Sequence, residues 1–185
     1  MEITKEIIGN FLAGTHPQER IIKIEGTNDE SKVHIFYRDE NDRLKVEHDD
    51  FYPFLWAKHS ACLNLFLDQN GQQDRNRFIA KLKEYGIKII PLQTTNEKGE
   101  EHPRMKEGYR FMYRAERPMS YNTFLRFFEE GGVPVYARNG QQSPNSYMIV
   151  SMIEQYMIYT GKRLFKGYDD YNQLHRMQFD LETTG

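Results

Sequence analysis

The chain has 185 residues, a length that suits one domain, or one domain followed by the start of another. Its 25 lysines and arginines against 27 aspartates and glutamates give a net charge of −2, which excludes the simplest nucleic-acid binder, a strongly basic domain. A single cysteine excludes an internal disulfide, and no apolar run approaches the ~20 residues of a membrane helix, so we expect a cytoplasmic protein without a membrane partner.

The first part of the chain predicts an antiparallel meander of short β-strands. Residues 20–26, 33–39 and 43–48 are rich in β-branched and apolar side chains and are separated by polar turn residues. Residues 51–57 (FYPFLWA) predict a further strand. Pro53 lacks a backbone donor, so we expect this strand to lie at a sheet edge or to contain a bulge.

Helices and strands alternate in the second part. Apolar residues at helical spacing predict a helix over residues 78–85 that ends at Gly86, and a second over residues 121–128 that ends at Gly131. A third helix is expected to begin near Ser143-Pro144 and to end at Gly161. Strands are expected at residues 87–92, 109–114 and 133–136. This order predicts an α+β domain over residues 1–160, with antiparallel sheet and packed helices.

The carboxyl-terminal residues carry the sharpest chemical signal. Residues 161–176 are polar and predict a connector, and residues 177–181 (MQFDL) predict a new strand that leads through Asp180 to Glu182. Because side chains alternate along a strand, these two carboxylates share one face, where they repel each other unless a cation lies between them. Hard oxygen ligands suit Mg²⁺ or Mn²⁺, and a pair of such ions about 4 Å apart promotes phosphodiester cleavage.

FDLETTG, residues 179–185, resembles the first motif of the DEDD-type 3′→5′ exonucleases, which have an RNase H-like fold. The longer stretch from EQYMIYTGKRLFKGY to LHRMQFDLETTG resembles the junction at which the amino-terminal domain of family B DNA polymerases meets the proofreading exonuclease. HDDFYPFLWA, residues 48–57, also resembles a segment of that amino-terminal domain. In some archaeal members this domain senses deaminated template bases, but the family's tyrosine after the proline is Phe54 here, so the resemblance does not assign that property.

The resemblance implies that residues 177–185 are the first strand of a proofreading exonuclease and that Asp180 and Glu182 are its catalytic, metal-binding carboxylates. The parent enzyme would extend a primer with deoxynucleotides on a single-stranded DNA template and correct the primer 3′ end. It would work at the nucleoid of a bacterium or archaeon, or in a virus-infected host cell. The later exonuclease and palm motifs are not among these 185 residues. We therefore expect this polypeptide alone to be an inactive, monomeric scaffold without tightly bound Mg²⁺ or Mn²⁺.

A basic segment offers a nucleic-acid surface. Six basic side chains lie in residues 104–126 against two acidic ones, and a local positive excess attracts phosphates. The residues predicted to contact DNA are Arg104, Lys106, Arg110, Arg114 and Arg117. Tyr109, Phe111 and Tyr113 alternate with the arginines. Either these aromatic rings stack on unpaired bases, or they pack in the core and leave the arginines as the solvated face.

Two other classes of protein remain open from the sequence. One is a single-stranded nucleic-acid-binding or regulatory module, in which FDLETTG is a coincidence. The other is a standalone exonuclease with an amino-terminal extension. Among the remaining residues, Trp56 is expected in the core, the acidic pair Asp49-Asp50 is expected in solvent, and the scattered histidines show no helical metal-binding spacing.

Overall fold

The computed structural model describes residues 16–58, 64–92, 109–133, 146–149 and 151–168. These residues form two antiparallel sheets and three helices, which confirms the predicted α+β class. No helix among them is long and apolar enough to cross a membrane. The predicted strand at residues 177–181, most of the strand predicted at residues 133–136, and the second half of the predicted connector lie outside the described residues.

The first sheet is the predicted meander. Its strands are β1 (Ile21–Glu25), β2 (Lys32–Arg38) and β3 (Leu44–Asp50), which pair antiparallel in chain order. The β2–β3 turn is fixed locally, because the Asp39 carboxylate accepts hydrogen bonds from the backbone N–H groups of Asn41 and Arg43, each at 2.9 Å. The turn sets a continuous register between β2 and β3.

The second sheet draws its strands from distant parts of the chain. It comprises β4 (Phe54–Ala57), β5 (Ile87–Pro91), β6 (Phe111–Ala115) and β7 (Ser146–Tyr147), in the spatial order β5-β6-β4-β7. The expectation of an edge position for the strand after Pro53 is wrong, because β4 lies between β6 and β7. Pro53 stands just before the ladder, so its missing N–H interrupts no pairing.

Three capped helices complete the described fold. Helix α1 (Arg75–Tyr85) and helix α2 (Tyr121–Glu130) fall where helical spacing predicts them. The side chains of Asp74 and Ser120 cap their amino ends by accepting backbone hydrogen bonds from Arg77 and Thr123. Gly86 ends α1 with a φ of +65°, the left-handed conformation that glycine adopts without strain.

Helix α3 (Met152–Thr160) begins later than predicted. The expected start near Ser143-Pro144 is wrong, because Ser146 and Tyr147 pair with β4 as β7. The side chain of Ser151 caps α3 by accepting a hydrogen bond from the backbone N–H of Glu154. The spacing Ser151-x-x-Glu154 is a capping-box signature, a signal in the sequence that locates this helix start.

The core combines buried residues of both sheets, α2 and α3, and it is rich in aromatic rings. Phe124, Phe127 and Phe128 of α2 are fully buried and pack edge to face, with the Phe127 and Phe128 ring centroids 5.0 Å apart. The ring of Tyr113 on β6 meets Phe128 at 5.7 Å. Such pairs add about 0.5–1.5 kcal/mol each beyond the burial of their surface.

Candidate functional site

The predicted metal site lies outside the described residues, with Asp180, Glu182 and the rest of FDLETTG. Arg104 and Lys106 of the basic segment also lie outside them. Their assignments therefore stay predictions. Within the described ranges, no group of three or more histidine, cysteine, aspartate or glutamate side chains is placed to hold a metal ion.

Arg114 of β6 does not lie on a solvated face. It is only 4% exposed, and its neighbours Met112 and Tyr113 are buried as well, although they point to opposite faces. The expectation that the arginines of this strand face solvent is therefore wrong for Arg114. β6 is an interior strand, paired with β4 and β5, and alternation in the sequence does not reveal that both of its faces are covered.

Two tyrosine rings hold the Arg114 guanidinium. Its central carbon lies 5.0 Å from the ring centroid of Tyr159 on α3 and 5.8 Å from that of Tyr52, and one terminal nitrogen lies 3.4 Å from the Tyr159 hydroxyl. A guanidinium over aromatic faces gains cation–π attraction, which grows as water is removed. Arg114 thus joins the second sheet to α3.

The other two described arginines of the predicted DNA-contact set, Arg117 and Arg110, occupy separate places. Arg117 is exposed, and its guanidinium donates a 2.9 Å hydrogen bond to the backbone carbonyl of Glu84 in the last turn of α1, where a cation also suits the helix dipole. Arg110 is half-buried, and its backbone N–H donates to the carbonyl of Ala57 at 2.9 Å, which extends the pairing of β4 and β6. Arg110, Arg114 and Arg117 therefore form no continuous basic surface with one another.

A cleft of about 430 Å³ opens beside Arg114, between the first sheet and α3. Its lining combines carboxylates, tyrosines and the guanidinium: Asp49, Asp50, Tyr52, Arg114, Glu116, Tyr156, Tyr159 and Thr160. The acidic side chains outnumber the basic one, so a phosphate finds little attraction in this cleft.

Asp49, which lines that cleft, bonds to side chains from a distant part of the chain. Its carboxylate accepts hydrogen bonds from the Tyr156 hydroxyl and, at 2.6 Å, from the Lys162 ammonium, whose side chain is only 8% exposed. The expectation that Asp49 is merely solvated is therefore wrong. Its partners lie more than 100 residues away in the chain, and no sequence pattern connects them. Asp49 ties the first sheet to α3 and to the residue after its Gly161 cap.

We expect the Asp49 carboxyl to titrate below its usual pKa of 3.8. Burial alone would raise this pKa, but the hydrogen bonds from Lys162 and Tyr156, together with the Lys162 charge, lower it overall. A lowered pKa in the folded state means that the stabilising contribution is present above pH ~4 and is lost as pH falls through the folded value. Carboxyl ¹³C shifts followed by NMR would measure this pKa, and a midpoint at or above 3.8 contradicts the expectation.

A cluster of aromatic rings lies at the β4–β7 end of the second sheet, and the sequence did not predict it. The Trp56 and Tyr147 rings lie 5.8 Å apart with a 32° tilt, and Tyr109 meets Tyr147 at 6.2 Å. Tyr147 is 42% exposed, and Trp56 and Tyr109 are half-buried, so Trp56 is not the core residue that we expected. We call these three residues the aromatic patch. Tyr147 belongs to the patch because it lies in β7, which pairs with β4. The sequence predicts a helix in this segment instead.

Comparisons of the chain with protein-family models, with curated proteins and with solved structures found no match. The functional proposal therefore rests on the residues of this chain and on the arrangement of its described elements.

Proposed function

We propose that the chain is the amino-terminal part of a family B-like DNA-directed DNA polymerase with 3′→5′ proofreading. The observation that carries the proposal is FDLETTG at residues 179–185, in which an apolar run leads into the Asp180-x-Glu182 pair and then Thr-Thr-Gly. The described residues that precede it form an α+β fold with two antiparallel sheets. This domain is a non-catalytic scaffold that contacts single-stranded template. Asp180 and Glu182 hold the Mg²⁺ or Mn²⁺ ions of the complete exonuclease.

Primer-extension assays test this proposal. The protein encoded by the complete reading frame is expected to extend a primer on a DNA template with Mg²⁺ and deoxynucleotides. Without deoxynucleotides it is expected to shorten the primer from its 3′ end. The isolated 185-residue chain is expected to do neither. A complete protein with neither activity would overturn the class assignment, and nuclease activity of the isolated chain that Asp180→Ala abolishes would overturn the scaffold role.

The aromatic patch favours a second candidate function, a single-stranded nucleic-acid-binding module. Partly exposed rings at the edge of a sheet give unpaired bases a surface for stacking, which is worth about 1–3 kcal/mol per base and tolerates any sequence. Both candidates use this contact, and they differ in whether exonuclease and polymerase domains are joined to the module. A binding module needs no polymerase chemistry, so the primer-extension assays separate them.

Substitution of Tyr147 tests the patch. Trp56 is the one tryptophan of the chain, so its fluorescence reports directly on the patch when an oligodeoxythymidine is added. We expect quenching on binding, an affinity about tenfold lower for Tyr147→Ala, and nearly full affinity for Tyr147→Phe, which keeps the ring. Phe165→Ala, at an exposed aromatic residue of the connector, is the matched control. Equal affinities for Tyr147→Ala and Phe165→Ala would exclude the patch as a binding surface.

A further inference from the structure

Strand β3 forms an exposed edge of the first sheet. Among the described strands it pairs with β2 alone. Residues 44–48 are all exposed, including Leu44 at 56% and Val46 at 46%. An exposed edge strand presents unpaired N–H and C=O groups and is a template for pairing with another strand. Leu44 and Val46 also leave apolar surface in solvent, which pairing would partly cover.

The charges along this edge change sign in the middle. Arg43 and Lys45 precede Val46, and Glu47 and Asp49 come after it. Because antiparallel pairing reverses one strand, the basic half of one copy meets the acidic half of another. The Glu47 carboxylate also accepts a 2.7 Å hydrogen bond from the hydroxyl of Tyr37 on the neighbouring strand β2.

Symmetry selects one register for such a pair. When two copies of β3 pair around a two-fold axis perpendicular to the sheet, each side chain stays on its own face of the sheet. The axis must then pass beside one residue of β3, and that residue lies opposite the same residue of the second copy. An axis at Lys45 places that lysine opposite itself, and an axis at Glu47 places that glutamate opposite itself. Like charges directly opposite are destabilising, so both registers are disfavoured.

The neighbouring registers fail for the same reason. An axis at Leu44 places Arg43 opposite Lys45 of the second copy. An axis at His48 places Glu47 opposite Asp49. Among these five registers, only an axis at Val46 places unlike charges opposite each other without also placing like charges opposite each other. Lys45 then faces Glu47 twice by symmetry, and Val46 faces Val46 as a β-branched cross-strand pair.

We propose that β3 is a self-complementary docking edge, at which two copies of this chain pair antiparallel around Val46 to form a continuous six-stranded sheet. This inference is independent of the proposed polymerase function, and it departs from the monomer expected from the sequence. A strand edge buries less than the ~1,600 Å² of a standard stable interface, so the dimer is weak, with a dissociation constant in the micromolar range. Its charge pairs are exposed, and salt weakens it.

Charge reversal in the full 185-residue chain tests the pairing by sedimentation equilibrium. Lys45→Glu and Glu47→Lys each turn two attractive pairs into two repulsive ones, and each is expected to weaken self-association by about tenfold or more. The double variant Lys45→Glu/Glu47→Lys restores unlike charges and is expected to dimerise again. Arg75→Glu, a charge reversal at the exposed start of α1, is the control and should dimerise as the unchanged chain does.

Mixing the two single variants gives the sharpest readout. Lys45→Glu carries two acidic residues beside Val46 and Glu47→Lys carries two basic ones, so each alone stays monomeric and the mixture forms a one-to-one dimer. Formation of that heterodimer also shows that both variants are folded well enough to pair. The proposal is overturned if the unchanged chain stays monomeric up to about 500 µM, far above a micromolar dissociation constant. It is overturned equally if the charge reversals leave the dimer unaffected or the mixture does not pair.

Discussion

In the complete protein, Asp180→Ala is expected to lower 3′→5′ exonuclease activity by about a thousandfold and to leave primer extension nearly unchanged. The carboxylate is proposed to hold a metal ion that activates water and stabilises the leaving oxygen, which is worth several kcal/mol in the transition state. The measurement is the rate of removal of a labelled 3′-terminal nucleotide, compared with the rate of nucleotide addition. Glu182→Ala is expected to act in the same way, because its carboxylate shares the face of Asp180.

Asp170→Ala supplies the matched control for this experiment, because it removes a carboxylate from the predicted connector just before the motif. It is expected to leave both activities unchanged. Unaltered exonuclease activity in Asp180→Ala would show that FDLETTG is not the metal motif. Equal loss of exonuclease and polymerase activities would instead indicate a damaged fold.

Asp49→Asn is expected to lower the free energy of unfolding of the 185-residue chain by about 2–3 kcal/mol. The substitution keeps an acceptor for the Tyr156 hydroxyl but leaves the Lys162 ammonium, 8% exposed, without its counter-charge. Breaking a fully buried ion pair costs about 3–5 kcal/mol, and the 40% exposure of Asp49 reduces that figure because water screens the charge. Urea denaturation followed by circular dichroism measures the change.

Two further variants show whether the loss of stability comes from the broken ion pair. Asp50→Asn makes the same chemical change at the adjacent exposed residue and is expected to shift stability by no more than about 0.5 kcal/mol. Asp49→Asn/Lys162→Met removes both charges and is expected to recover much of the loss, because no buried charge is then unpaired. Equal effects of Asp49→Asn and Asp50→Asn would contradict the assignment of Asp49 as the tie between the first sheet and α3.

Local signals in the sequence account for the elements that it predicts well. Helix α1 ends at Gly86, and the meander of the first sheet has polar turns, because capping and turn formation depend on residues within a few positions of each other. The start of α3 is misplaced because the two residues of β7 carry no pattern of their own. Their extended conformation comes from pairing with β4, about 90 residues earlier in the chain.

The errors at the site share one physical cause, which is contact between distant segments. The sequence places Arg114 in solvent, yet α3 supplies the Tyr159 ring that covers it. It also places Asp49 in solvent and Trp56 in the core, yet Asp49 meets Lys162 and Trp56 lies in a patch with Tyr147. The prediction for Asp180 and Glu182 is of a different kind, because it rests on a contiguous motif and needs no distant contact.

Sequencing the coding region downstream of the Gly185 codon is the decisive test of the proposal that this chain is part of a family B-like DNA polymerase. We expect the reading frame to continue for several hundred residues. We also expect it to encode two further exonuclease aspartates, a tyrosine or histidine near the last of them, and a palm domain with paired catalytic aspartates. A reading frame that ends shortly after Gly185 would contradict the polymerase proposal and favour the single-stranded nucleic-acid-binding module.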